Sequence, residues 1–167
     1  MSKAVVGSVL LGLAALGLAG CGSEAEAPVQ ANPDAPAGVE ASNGRMNLPA
    51  VAGNPAAVYF TLTNGGEKDY MIRSVNVAGA ESAMMHQTTT WNLQPDMQEI
   101  FQMPVPAGGE LVLEQGAMHV MAMNVSPDLS PGGETEVTVT FVGGDKISFP
   151  VAVRAAGDTG EAEGSAD

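Results

Sequence analysis

Two imidazoles and a run of thioethers stand close together in this chain. Its two histidines, His86 and His119, lie between Met84 and Met123, with seven of its ten methionines: Met84, Met85, Met97, Met103, Met118, Met121 and Met123. Imidazole and thioether are borderline to soft donors, and thioether selects Cu(I) over zinc or hard cations. The stretch contains no cysteine. The usual thiolate sites for zinc, iron–sulfur clusters and blue copper therefore lack a ligand there.

Strand periodicity predicts how some of these donors are presented. His119, Met121 and Met123 are two apart, so an extended chain points all three to one face and Val120 and Ala122 to the other. Met84 and His86 share a face in the same way. Met97 follows a turn-like segment, Asn92-Leu93-Gln94-Pro95-Asp96, on a loop or strand start that could fold back over His86.

The intervals read His-x10-Met-x21-His-x-Met from His86 through Met97 and His119 to Met121. In this spacing the sequence resembles the PCuA(C) family of periplasmic copper chaperones. Two flanking stretches agree: VPAGGELVLEQGAMHVMAM at Val105–Met123 and NPAAVYFTLTN at Asn54–Asn64. The resemblance runs from about Val39 to Arg154. It implies that His86, Met97, His119 and Met121 hold one Cu(I) ion. It also implies a recipient, the binuclear copper centre of cytochrome c oxidase, reached directly or through a thiol-bearing assembly chaperone. The chain departs from the family text in two places. GAMH stands where GGYH is usual, and Met84-Met85 adds sulfurs the motif does not define. Met84, Met85 and Met123 are therefore candidate additional ligands.

Methionine ordinarily fills irregular gaps in a core, and Met46, Met71, Met103 and Met118 are expected there. No catalytic constellation is present. With both histidines in the motif, none is left for a Ser-His-Asp arrangement. The Gly-Gly-Glu and Gly-Gly-Asp turns precede no helix and no Walker lysine, as a phosphate loop would require.

The elements that must carry the donors read as strands. In 58–63, Val58, Phe60 and Leu62 alternate with Tyr59, Thr61 and Thr63. In 136–142, Val137, Val139 and Phe141 alternate with polar residues, and in 147–153 so do Ile147, Phe149, Val151 and Val153. Strict period two marks half-buried strands. Gly-rich turns punctuate them at Asn64-Gly65-Gly66, Ala107-Gly108-Gly109, Pro131-Gly132-Gly133 and Gly143-Gly144-Asp145, the last reading as a hairpin. The class is all-β, a small antiparallel sandwich or Greek-key barrel. The family resemblance implies a cupredoxin-like, immunoglobulin-related Greek-key β-sandwich. Pro150 inside a strand pattern predicts an edge or a bulge there.

Residues 1–20 read as a lipoprotein signal peptide: Lys3, an apolar run from Ala4 to Ala19, and Leu18-Ala19-Gly20-Cys21 as a lipobox. Cys21, the chain's one cysteine, is then the lipidated residue, and no intramolecular disulfide is possible. Acyl chains at ~0.8 kcal/mol per buried CH2 give stable membrane attachment. Residues 21–38, rich in Ala, Pro and acids, are expected as a flexible linker spanning up to ~50 Å. Residues 39–154 form the copper-binding domain and 155–167 a disordered acidic tail.

From Cys21 onward, five Lys and Arg face nineteen Asp and Glu. Such a surface repels nucleic acid and favours solubility. The expectation is a monomeric, non-enzymatic Cu(I) chaperone in the bacterial periplasm or at the cell surface, attached to the membrane through Cys21. Two other classes remain open: a copper buffering or acquisition protein, and a metal-free scaffold or adhesive β-sandwich lipoprotein.

Overall fold

Alternating apolar residues and glycine turns produce ten strands in the computed structural model, which describes residues 32–158. They are β1 (Val39–Asn47), β2 (Ala56–Asn64), β3 (Tyr70–Val77), β4 (Ser82–Trp91), β5 (Gln94–Ile100), β6 (Met103–Val105), β7 (Gly109–Leu113), β8 (Met118–Met123), β9 (Glu134–Phe141) and β10 (Lys146–Arg154). Among the described residues there is no helix. The strands hydrogen-bond in the order β5-β4-β8-β2-β1-β10-β9-β3-β6, with β7 also on β2. This path curls on itself into a barrel-like sandwich. Asn64, buried on β2, donates its amide to the Val105 carbonyl on β6 at 3.1 Å, joining the end of the path to its middle.

The core is what period two predicts. Val58, Phe60 and Leu62 of β2, Val137, Val139 and Phe141 of β9, and Ile147, Val151 and Val153 of β10 are all buried. Phe60 meets Phe149 edge-on at 5.1 Å between centroids, and Tyr70 meets Phe141 at 5.8 Å. Such aromatic pairs add ~0.5–1.5 kcal/mol beyond their buried area. The β9–β10 hairpin turns at Gly143 and Gly144, both at positive φ as glycine permits.

Three expectations change in detail. The sheet is not wholly antiparallel, because β1 runs parallel to β10 from Arg45↔Ala152 to Asn47↔Arg154. Pro150 lies in an interior strand, and the irregularity belongs to its neighbour. Strand β1 bulges between Ser42 and Arg45, with Asn43 at φ 57°, and its ladder to β10 begins only at Ala152. Gly44 is required in that bulge, since a Cβ there would lie 2.7 Å from Val151 Cγ1.

Thirdly, the fold begins before Val39. Asn32 Oδ1 accepts the Ser148 N–H at 3.0 Å, and the Asp34 carbonyl accepts the Lys146 N–H at 2.8 Å. Pro36 is buried and Ala35 packs on the core. The apolar part of the Pro/Ala text thus belongs to the domain rather than to the linker. At the other end, Asn47 donates to the Asp158 carbonyl at 2.7 Å, tying the chain for a turn beyond Arg154. The signal segment, Cys21 and the remaining tail lie outside the described residues.

Candidate metal centre

Strand β8 pairs with β2 along one edge and with β4 along the other. Its alternation divides the two faces: Val120 and Ala122 are fully buried, while His119, Met121 and Met123 face outward. On β4 the buried residue is Met85, opposite Val120, so Met84 and His86 share the outer face with His119 and Met121. The ladder is in register. His86 stands opposite His119, Met84 opposite Met121, and Ser82 opposite Met123.

The two imidazole centroids are 6.0 Å apart, with planes at 78°. Rings sharing one ion through ~2.0 Å metal–nitrogen bonds have centroids about 5–6.5 Å apart. The pair therefore fits a shared ion. Buried His86 Nδ1 has no hydrogen-bond partner, an orphan that a ligand would satisfy.

His119 is held by a local turn. Ala117 N–H donates to the Glu114 carbonyl at 3.2 Å, and Gly116 takes the required positive φ of 83° at the third position. This turn stands out between β7 and β8, which otherwise follow one edge of β2. Its Ala117 carbonyl accepts from Thr88 N–H of β4 at 3.1 Å and lies 3.1 Å from His119 Nδ1. With Nδ1–H donating there, Nε2 of His119 is the nitrogen left for a metal.

The other wall is Tyr59. Its ring lies 6.4 Å from that of His119, tilted by 50°, and the Arg45 guanidinium sits 4.6 Å over its centroid. The β1 bulge lies immediately before Arg45. Burial pushes the Tyr59 phenol above its ordinary range, and the nearby Arg45 charge offsets this in part. Neither residue was a candidate from donor chemistry. The available signal was parity, since Tyr59 is an aromatic at an outward position of β2. His119 is only 6% exposed because this outer face is itself partly covered.

Of the expected ligands, the structure brings His86, His119 and Met121 together, with Met84 beside them. Met97 stands further out. Strand β5 returns from β4 through a two-residue turn, Asn92-Leu93, with both residues at positive φ, the pattern of a type I′ hairpin. The register places Met97 opposite Thr88, diagonal to His86, on the edge strand and 58% exposed.

Met85 is corrected. It is buried in the core on the opposite side of the sheet from His86 and does not present its sulfur to this face. Met103 is fully buried and Met118 packs against the core, as expected. Met123 shares the outer face one ladder step beyond Met121. Among the described residues no three His, Cys, Asp or Glu side chains converge. On the β5 side His86 stands opposite the exposed Glu99, and along the β4–β8 ladder the donors next to the histidine pair are thioethers.

The architecture is the cupredoxin-like β-sandwich of PCuAC domains. It is similar to the copper-bound PCuAC domain from PmoF2, with a TM-score of 0.58 at 18% identity, over 71% of this chain and 93% of that one. It is also similar to Cu(I)-bound DR1885 from Deinococcus radiodurans, with a TM-score of 0.54 at 24% identity, over 70% and 76% of the two chains. The chain belongs to the family described as "Putative lipoprotein LpqE-like", whose model matches residues 39–153. A relative, "Putative lipoprotein Lxx21020" of Leifsonia xyli subsp. xyli (strain CTCB07), is 30% identical over 139 residues, 83% of this chain and 81% of the relative.

Proposed function

We propose that this protein is an extracytoplasmic Cu(I) carrier, binding one ion at His86, His119, Met121 and Met97 and releasing it by ligand exchange. The observation that carries this reading is the in-register pair His86–His119, with ring centroids 6.0 Å apart and one buried imidazole nitrogen unpartnered. Neutral imidazole and thioether leave the bound ion its single positive charge, which a strongly acidic protein tolerates. Thioether cannot form a disulfide, an advantage over thiolate outside the cytoplasm. Individually weak sulfur ligands let an acceptor displace one donor at a time.

Lipidation at Cys21 would hold the carrier on the outer side of a bacterial membrane, consistent with the lipoprotein descriptions of its family and relative. The recipient we propose is the copper-site subunit of cytochrome c oxidase or a thiol-bearing chaperone serving it. The resemblance in motif spacing supports this choice. The protein acts as a carrier rather than an enzyme.

The test is an anaerobic Cu(I) titration of the wild type and of His119→Ala. One tightly bound equivalent, weakened in the variant and not matched by Zn(II), is expected. Tight zinc binding equal to Cu(I), or an unchanged variant, would refute the site. Delivery is separated from buffering by the phenotype of a deletion strain: loss of oxidase activity restored by added copper supports delivery.

A further inference from the structure

The ladder makes a second statement about the sulfurs. This inference rests on the Cu(I) reading above and changes which donors hold the ion. His86 and His119 are directly opposite, as are Met84 and Met121, two residues along the same two strands. Directly opposite residues of an antiparallel pair have Cβ atoms ~4.5–5.5 Å apart, and diagonal ones lie ~7–8 Å apart. The four side chains thus form a two-by-two block on one face, each within ligand reach of the other three. Met84 is half-buried on that face, and Ala83 and Met85 turn the other way.

Met97 is placed differently. Counted along β4, it stands at the level of Thr88 and Met121 at the level of Met84. Four residues at ~3.3 Å and two strand spacings at ~4.8 Å put their backbones ~16 Å apart in an untwisted sheet. Met97 is diagonal to His86 but two strands away from His119 and Met121, so it reaches an ion held between the histidines from outside the block. Its 58% exposure on the edge strand agrees with an outlying donor.

We propose that Met84 is a Cu(I) ligand. Met84, His86, His119 and Met121 form the holding set on the paired strands β4 and β8, and Met97 is the outer sulfur exchanged during uptake and release. Only Met84 among the supernumerary methionines has this placement. Met85 faces the core and Met123 lies a step beyond the block.

The experiment follows methionine methyl groups by NMR in the full-length chain in detergent, labelled with [13C-methyl]methionine, as anaerobic Cu(I) is added. Cu(I) is diamagnetic, so ligand methyls shift without being broadened away. Met84→Leu, Met97→Leu and Met121→Leu assign the resonances and are near volume-conserving. The expected result is a Met84 shift comparable to that of Met121 at one equivalent. Met84→Leu should also lower Cu(I) affinity by at least the ~10–100-fold that loss of an outer-shell partner costs a metal site, and the methyl shift separates the two roles.

A Met84 methyl that stays in place while Met97 and Met121 move would overturn this proposal and leave the carrier reading intact. If no methionine methyl moves and His119→Ala binds copper like the wild type, both fall. A folded Met84→Leu with wild-type affinity also overturns the assignment of Met84, whatever the shifts.

Discussion

In the proposed site, protons and copper would compete for the same imidazole nitrogens, with a steepness set by the number of histidines on the ion. The Ala117 carbonyl, 3.1 Å from His119 Nδ1, retains one ring proton, so only the proton at the coordinating nitrogen must leave. The same count of one applies to His86. Thioether carries no proton in this range. Two histidines on one ion therefore give a limiting acid slope of about two decades in affinity per pH unit, and one histidine about one decade. Two decades correspond to about 2.7 kcal/mol per pH unit.

The perturbations are His119→Ala, which should halve the slope, and His86→Ala/His119→Ala, which should abolish it. Met97→Leu/Met121→Leu should weaken binding and keep the wild-type slope. The assay is competition with a Cu(I) chelator from about pH 5 to 8, corrected for the chelator's own protonation. A flat wild-type profile, or a full slope surviving in the double histidine variant, would refute the shared-ion geometry.

Other consequences concern the scaffold and the anchor. Phe60→Ala removes a side chain 1% exposed that meets Phe149 at 5.1 Å, and should cost about 3–5 kcal/mol in urea unfolding; a loss below about 1 kcal/mol would contradict the packing. Tyr59 has a phenol raised above 10.0 by burial, so its contribution is complete below pH 10. That contribution is lost as pH rises towards the folded value, because the unfolded chain ionises first. Tyr59→Phe should flatten the fall in melting temperature above pH 10, and parallel curves for the two proteins would sink this. Cys21→Ser should abolish lipid attachment, read by metabolic labelling with a fatty acid, and leave Cu(I) affinity unchanged; weakened copper binding would make Cys21 a ligand instead.

Much of the sandwich was legible because its core strands face water on one side only. Val58, Phe60 and Leu62, or Val137, Val139 and Phe141, declare an inner face by parity alone. The β9–β10 hairpin was legible because Gly143-Gly144 leaves few other turns. Parity also separates Met84 from Met85 once His86 is taken as a ligand. The parallel contact of β1 with β10 was not legible, since it joins distant segments and carries no local turn signal.

Register was the main thing hidden. Spacings of ten and twenty-one residues say that donors exist, whereas the ladder decides that His86 meets His119 and Met84 meets Met121. Tyr59 and Arg45 escaped notice for a related reason. They line His119 in a packed row across β2 and β1, and neither carries a soft donor that would single it out in the sequence.

The most direct measurement of the central claim is X-ray absorption at the copper edge of the protein loaded with one Cu(I). The account predicts a mixed shell in which two imidazoles, recognised by their ring scattering, accompany methionine sulfur. His119→Ala should lose one imidazole and keep the sulfur. A shell of light oxygen or nitrogen donors without sulfur, or a sulfur-only shell indifferent to His119→Ala, would contradict it.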